Sequence, residues 1–363
     1  MSLIDALTSG QDPAALLARY PVRDFDSQGF RRQVQQAEAM VSAWGPAAFD
    51  FEPGKPASLR LGDAIYHVGT FSTPSLGELK ARLEPIKQTA FHPLRLSILL
   101  GASRLGDIQY LETHADGDTL FQLASQFNGL EAPSATLVPV SAYFGDRTQG
   151  PLGVLPTFTG ALLRQYAAPG PGGRRFVQTA RQQLNFLADV LPPEIGRVQN
   201  GYLVSQNILQ PQALADKLSS DFDAIRIGLH TDLHVVAPGG PRLDQVLTST
   251  LAGGGYSQAD TRQQPWLTIQ RQLLRAAYLG TLLAALDAGR HKVVLTAIGG
   301  GVFANPHPLI WEAILWSLEQ VEPYLKAPLH VILNLRSFEV APEQLKIEAR
   351  KRQGELVEIG TGS

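Results

Sequence analysis

Apolar residues recur along this chain in two rhythms, one helical and one extended, and the change between them divides it. Spacings of three and four dominate the first ninety positions. They predict a short helix over residues 12–20, capped by Asp12, and a longer amphipathic helix over 30–44. Pro46, Pro53 and Pro56 break regular structure before a further helix over 76–86, ahead of Pro93. From residue 94 the pattern becomes mixed. Strands are expected over 94–100 and 108–112, a helix over 119–126 and an extended run over 135–140. A proline- and glycine-rich loop at 168–173 precedes a helix over 176–191. Residues 224–230 and 233–236 flank a polar break or merge into one strand. A turn at 238–241 then leads into a strand over 245–251, and the pair suits a hairpin. A long helix over 265–288 ends at Gly289, the place of a glycine C-cap. A β-branched strand from Lys292, a glycine turn, a helix opening at Pro308 and a last strand over 329–335 follow. The tail from Glu343 is charged, and 360–363 is expected to be disordered. No internal repeat is visible.

Helices interleaved with apolar strands imply a largely parallel or mixed sheet covered on both faces. Three regions result: a mainly helical N-terminal accessory region (1–90), an α/β domain (91–336) and a charged C-terminal tail (337–363).

Composition narrows the function classes. The chain has 363 residues, 44% of them hydrophobic, enough for one large domain or two ordinary ones. A formal net charge of −2 gives no electrostatic argument for nucleic acid or an anionic membrane. With no cysteine, disulfides, thiolate metal ligands and a cysteine nucleophile are excluded. Residues 1–10 lack a basic segment followed by an apolar core, and no window approaches ~18 uninterrupted apolar residues. The expected location is the cytoplasm, or outside the cell by a route without a cleavable signal.

The glycine turn carries the most chemistry. In Gly299-Gly300-Gly301-Val302-Phe303-Ala304-Asn305-Pro306, three residues without Cβ atoms separate a buried strand from a helix. Unpaired backbone N–H groups and a helix N-terminus then face one turn, which suits a phosphate. Such glycines also serve purely steric ends in many βα turns. His230-Thr231-Asp232-Leu233-His234 has the look of a metal motif, since alternate strand residues share a face. Its ends lie ~13 Å apart by strand rise, too far for three side chains to meet one ion, and no metal is expected. Asp232, Asp244 and Asp260 stand as acids near the hairpin and the second glycine run.

Residues 271–285 carry the texture A-x-Y-x-x-x-L-x-x-A, and they lead into the strand and glycine turn. Together these stretches resemble the C-terminal half of a macrodomain, in which such a turn wraps the diphosphate of ADP-ribose. A second run, Gly253-Gly254-Gly255-Tyr256, stands where that family has an asparagine-rich loop followed by glycines, but the asparagines are missing. Residues 126–131, 146–151 and, less sharply, 226–232 resemble a divergent macrodomain-like group. That group includes bacterial effectors that remove ADP-ribose from ubiquitin.

The resemblance implies a macrodomain-like three-layer α/β/α fold with a mixed sheet. It implies a hydrolase that removes ADP-ribose from a modified protein such as ubiquitin, with ADP-ribose as ligand or product and no further cofactor. Glu131, Asp146 and Asp232 are the implied catalytic acids, because cleavage through an oxocarbenium-like state needs a carboxylate or activated water near the anomeric carbon. Gln126, Asn128, Thr148, Gln149 and Gly150 are implied to contact ribose, and Gly299, Gly300, Gly301, Val302, Phe303 and Asn305 to cradle the diphosphate. A non-catalytic ADP-ribose reader and an unrelated α/β nucleotide enzyme are the alternatives.

Overall fold

The computed structural model describes residues 1–52, 54–84, 93–133, 136–146, 148–237 and 239–360, with Gln149 described by its backbone alone. Pro53, Pro238, residues 85–86 of the helix expected over 76–86, the start of the extended run over 135–140 and the final residues 361–363 lie outside them.

A mixed sheet organises the chain. Its strands are β1 (Phe49–Asp50), β2 (Ala57–Leu61), β3 (Ala64–Ser72), β4 (Leu94–Leu100) and β5 (Thr119–Ala124). A small separate ribbon pairs β6 (Ala168–Pro169) with β7 (Arg175–Phe176). The sheet continues with β8 (Gly228–His234), β9 (Arg242–Thr248), β10 (Lys292–Thr296), β11 (Leu329–Leu335) and β12 (Leu356–Glu358). Spatially the order is β1-β2-β3-β8-β9-β5-β10-β11-β4-β12. From β9 to β12 every pairing is parallel, and from β1 to the β8–β9 hairpin every pairing is antiparallel.

The helices are α1 (Leu3–Leu7), α2 (Pro13–Arg19), α3 (Gln28–Trp44), α4 (Leu76–Leu83), α5 (Ile108–Thr113), α6 (Gln149–Val154), α7 (Phe158–Tyr166), α8 (Pro211–Ser220), α9 (Trp266–Asp287), α10 (His307–Val321) and α11 (Pro342–Lys351). Register shows that they form two layers. Phe121 lies beside Gln245, and Gln122 beside Val246, so the two glutamines point to opposite faces. Gln122 Nε2 reaches the Ala277 carbonyl of α9 at 3.2 Å, while Gln245 Nε2 reaches Glu112 of α5 at 2.8 Å and Thr157 beside α7 at 3.0 Å. The sheet is mixed and covered on both faces, as the pattern implied, in the three-layer α/β/α class that the resemblance implied.

Several elements differ from their sequence reading. Residues 119–124 are the central strand β5, not a helix. A six-residue run buried on both faces carries no periodicity, and pairing on either side decides it. Residues 108–113 are the helix α5, not a strand, and its first turn closes with the N–H groups of Tyr110 and Leu111 donating to the Asp107 carbonyl. Over 176–191 there is no helix: Phe176 ends β7, and the backbone then runs irregularly. Its donors serve distant segments, as when Phe186 N–H donates to the Phe127 carbonyl at 2.8 Å. Residues 49–72, where no strand is expected in a region read as mainly helical, supply β1–β3, and β3 joins the main sheet by pairing with β8. At the other end α11 packs on β4, and β12 extends the sheet beyond β4. No helix among the described residues is long and apolar enough to cross a membrane.

Candidate functional site

A pocket of about 510 Å³ opens beyond the C-terminal ends of β5, β10 and β11. Its floor is the turn 297–305. Gly299 takes φ +72°, and a Cβ there would meet Thr250 Cγ2 at 2.4 Å, so the tight turn requires glycine. Side chains from three directions fix its shape. The Tyr278 hydroxyl on α9 donates to the Thr296 carbonyl at 2.9 Å and accepts from Ile298 N–H at 3.1 Å. Asn305 donates to the carbonyls of Leu251, Gly299 and Phe303 and accepts from the Thr250 hydroxyl at 3.1 Å. His307 accepts from Glu339 N–H on Nδ1 at 2.9 Å, so its Nε2–H donates to the Gly300 carbonyl at 3.1 Å.

This bracing leaves a row of donors. Among the described residues the N–H groups of Gly299, Gly301, Val302 and Phe303 have no hydrogen-bond partner, and all four residues line the pocket. Successive free amides on a left-handed turn form a concavity with positive potential, the electrostatics of an anion site. Tyr278→Phe is expected to cost about 1–3 kcal/mol by removing a fully buried hydroxyl from this scaffold. Urea denaturation measures that loss.

One wall is aromatic. Tyr202 and Tyr256 stack with ring centroids 5.6 Å apart, and Phe303 meets both edge-on at 5.7 and 5.3 Å. The two glycine runs join here, since Gly253 N–H donates to the Phe303 carbonyl at 3.0 Å. Asp146 is the one acid among the described residues lining the pocket. Its Oδ1 accepts Thr148 N–H at 2.7 Å, and its charge acts on Tyr202, whose hydroxyl is held well above its usual range mainly by burial. Arg336 and Ser337 form the rim beyond β11.

The other sequence candidates divide. Gln126, Thr148, Gly150, Gly300 and Val302 line the pocket with Asp146 and the donors already named. The Gln126 amide is already engaged, clasping Ala132 N–H at 3.0 Å and the Ala132 carbonyl at 2.9 Å. A Cβ on Gly150 would meet the Ala124 carbonyl oxygen at 2.4 Å, so that glycine lets α6 approach β5. Gln149 opens α6, and its side chain is outside the described set. Asn305 is a buried brace behind the loop instead of a lining residue. Asn128, 2% exposed, accepts Leu130 N–H at 3.0 Å and donates to Gln183 at 2.9 Å, tying its own turn to the irregular segment.

Two of the three expected acids lie away from the pocket. Glu131 is fully buried against Arg164, whose Nη2 stands 3.1 Å from one carboxylate oxygen and 3.3 Å from the other. Burial raises its pKa to about 7 against the opposing pull of Arg164. Asp232 lies at the opposite end of the parallel strands, beside the start of β9, where it pairs with Arg242 at 3.0 Å. Asp244 is there too, paired with Arg290 at 2.6 Å, and Asp260 is paired with Arg262. Nor do His230, Asp232 and His234 share a face, because Asp232 sits at a bulge with φ +58°. Both His230 nitrogens are engaged, Nδ1 accepting from Arg164 at 3.0 Å and Nε2 donating to the Val68 carbonyl at 2.7 Å.

Sequence reasoning missed Tyr202, His307, Arg336 and Arg164. Arg336 had a signal, since it directly follows the last strand and ligands gather beyond the C-terminal ends of parallel strands. Tyr202 had none, as it lies in a stretch without periodicity.

No family model matches this chain, and no curated protein matches it. Among solved structures it is similar to a poly(ADP-ribose) glycohydrolase from Thermomonospora curvata, with 14% identity, 90% of this chain and 100% of that chain covered, and a TM-score of 0.38. It is also similar to a poly(ADP-ribose) glycohydrolase from Deinococcus radiodurans in complex with ADP-ribose, with 15% identity, coverage of 81% and 98%, and a TM-score of 0.38.

Proposed function

We propose that this chain is a hydrolase that binds ADP-ribose in the pocket and removes it from a modified protein, of which ubiquitin is one. The observation that carries the reading is the row of free amides at Gly299, Gly301, Val302 and Phe303 beside an aromatic wall and a single acid. The diphosphate takes the amides, with Arg336 supplying a cation at the rim. The ribose bearing the scissile bond packs on Phe303 and Tyr256 and faces Asp146. Water attacks the anomeric carbon as the bond to the acceptor breaks, Asp146 takes one water proton, and that proton passes on through solvent to the departing acceptor.

Gly301 offers a clean test. A Cβ there meets nothing within 4 Å, so Gly301→Ala should fold and bind normally. Gly301→Asp sets a carboxylate against the diphosphate, a repulsion of about 4 kcal/mol at ~4 Å with an effective dielectric of about 20. Titration calorimetry with ADP-ribose is expected to show a roughly 100- to 1,000-fold loss for the aspartate variant only. Equal affinity in all three proteins overturns the site. Turnover on ADP-ribosylated ubiquitin and on poly(ADP-ribose) then separates the substrates, and binding without turnover on either makes the chain a reader.

A further inference from the structure

Asp146 is held from a distance by the N-terminal region. It follows a single 3-10 segment, Val140–Gly145, and its own N–H closes the last turn onto the Tyr143 carbonyl at 3.1 Å. The first amides of such a segment have no partner within it, and Pro139 before it supplies no side-chain cap. The missing cap comes from α3, about a hundred residues earlier. Glu38, 5% exposed, accepts Val140 N–H on Oε1 at 2.6 Å and Ser141 N–H on Oε2 at 2.8 Å. The Tyr166 hydroxyl of α7 adds a third bond to Oε1 at 3.0 Å.

Other contacts make the segment one rigid unit. Phe144 packs edge-on to Phe30 of α3 at 6.1 Å, with the Arg31 guanidinium 4.8 Å over the Phe144 ring. Tyr143 is fully buried, and its hydroxyl accepts from Glu131 N–H at 3.4 Å. A displacement at the Val140 end is therefore delivered to Asp146 at the other.

We infer that Glu38 is a positioning residue for the hydrolysis, and that α3 is a working part of the site instead of an appendage to it. This rests on the proposed role of Asp146. A carboxylate is suited to the task because its two oxygens accept two adjacent backbone donors at once, and the charge favours the positive end of the segment. Gln at this position keeps the size but turns one acceptor into a donor that faces an N–H group.

The test compares Glu38→Gln and Tyr166→Phe with the full-length chain, in turnover of an ADP-ribosylated protein and in calorimetry with ADP-ribose. Glu38→Gln is expected to lower kcat roughly 10- to 100-fold, the scale of an ångström's misplacement, with KM and ADP-ribose affinity within about twofold. Tyr166→Phe leaves both backbone bonds in place and should keep a kcat near that of the parent. Unchanged kcat in Glu38→Gln, or an equal fall in Tyr166→Phe, overturns the inference. So does a parallel loss of kcat and affinity, which marks a merely structural role. Hydrogen exchange on the parent protein needs no variant to fold: the Val140 and Ser141 amides should be protected, and free exchange at either overturns the cap. An inactive parent would instead sink the hydrolase reading.

Discussion

Asp146→Asn is expected to lower kcat on an ADP-ribosylated protein by roughly 100- to 10,000-fold, the range for removing a positioned general base. Affinity for ADP-ribose should stay within a few-fold. The substitution is nearly isosteric, and Asn keeps the Oδ1 that accepts Thr148 N–H, so the turn at 146–148 is preserved. What it loses is the ability to take a proton from water. Asp232→Asn is the matched control, because that acid stands at the far end of the strands against Arg242 and should leave turnover unchanged. Single-turnover kinetics on both variants, with calorimetry alongside, checks the assignment. If Asp146→Asn turned over at the parent rate while Asp232→Asn failed, the pocket would not be the place where the bond breaks.

The contrast between these two aspartates shows what could be read from residue order. The diphosphate half of the proposed site is local: β10, its glycine turn and α10 are consecutive, so sequence places Gly299 to Asn305 on one another directly. The strand over 329–335 and the helix near 265–288 were also legible locally, the one as a short apolar run and the other as a long apolar pattern ending at Gly289. The acid half is not local. Asp146 meets the pocket because a 3-10 segment is held by Glu38, whereas Asp232 misses it because an antiparallel β8 carries it to the other end. A polar residue in a turn looks the same in both cases. Strand β5 was misread because burial on both faces erases alternation, and 176–191 because its apolar residues pack on several different elements. Arg164 did leave a trace, a lone cation in the apolar run of α7, but Glu112 and Glu131 are equally buried, and only the fold pairs it with Glu131.

That buried pair governs the largest expected loss of stability. Arg164 is the largest fully buried side chain, donating to the Gly129 carbonyl at 3.0 Å, to His230 Nδ1 at 3.0 Å and to both oxygens of Glu131. Arg164→Met fits the volume but strands all three acceptors, and breaking a buried pair from one side costs about 3–5 kcal/mol. The loss should depend on pH, with a sign set by Glu131. Its folded pKa of about 7 lies above the ordinary 4.5, so its favourable contribution is complete below about pH 4.5 and is lost as pH rises through 7. Without Arg164 the cation that opposes burial is gone, the folded pKa climbs further, and the variant keeps losing stability above pH 7 where the parent has levelled off. At pH 5 the carboxyl is protonated in both proteins, so its charge does not separate them. His230 is held well below its usual range by burial and by Arg164, so its contribution is lost as pH falls below 6.5, by less in the variant, which lacks the Arg164 charge. At pH 8 the imidazole is neutral folded and unfolded and does not affect the comparison. Guanidinium denaturation at pH 5 and pH 8 therefore gives the decisive comparison. The gap between parent and variant should be wider at pH 8, and a gap that narrowed with rising pH would mean that Glu131 does not carry the charge that Arg164 is there to balance.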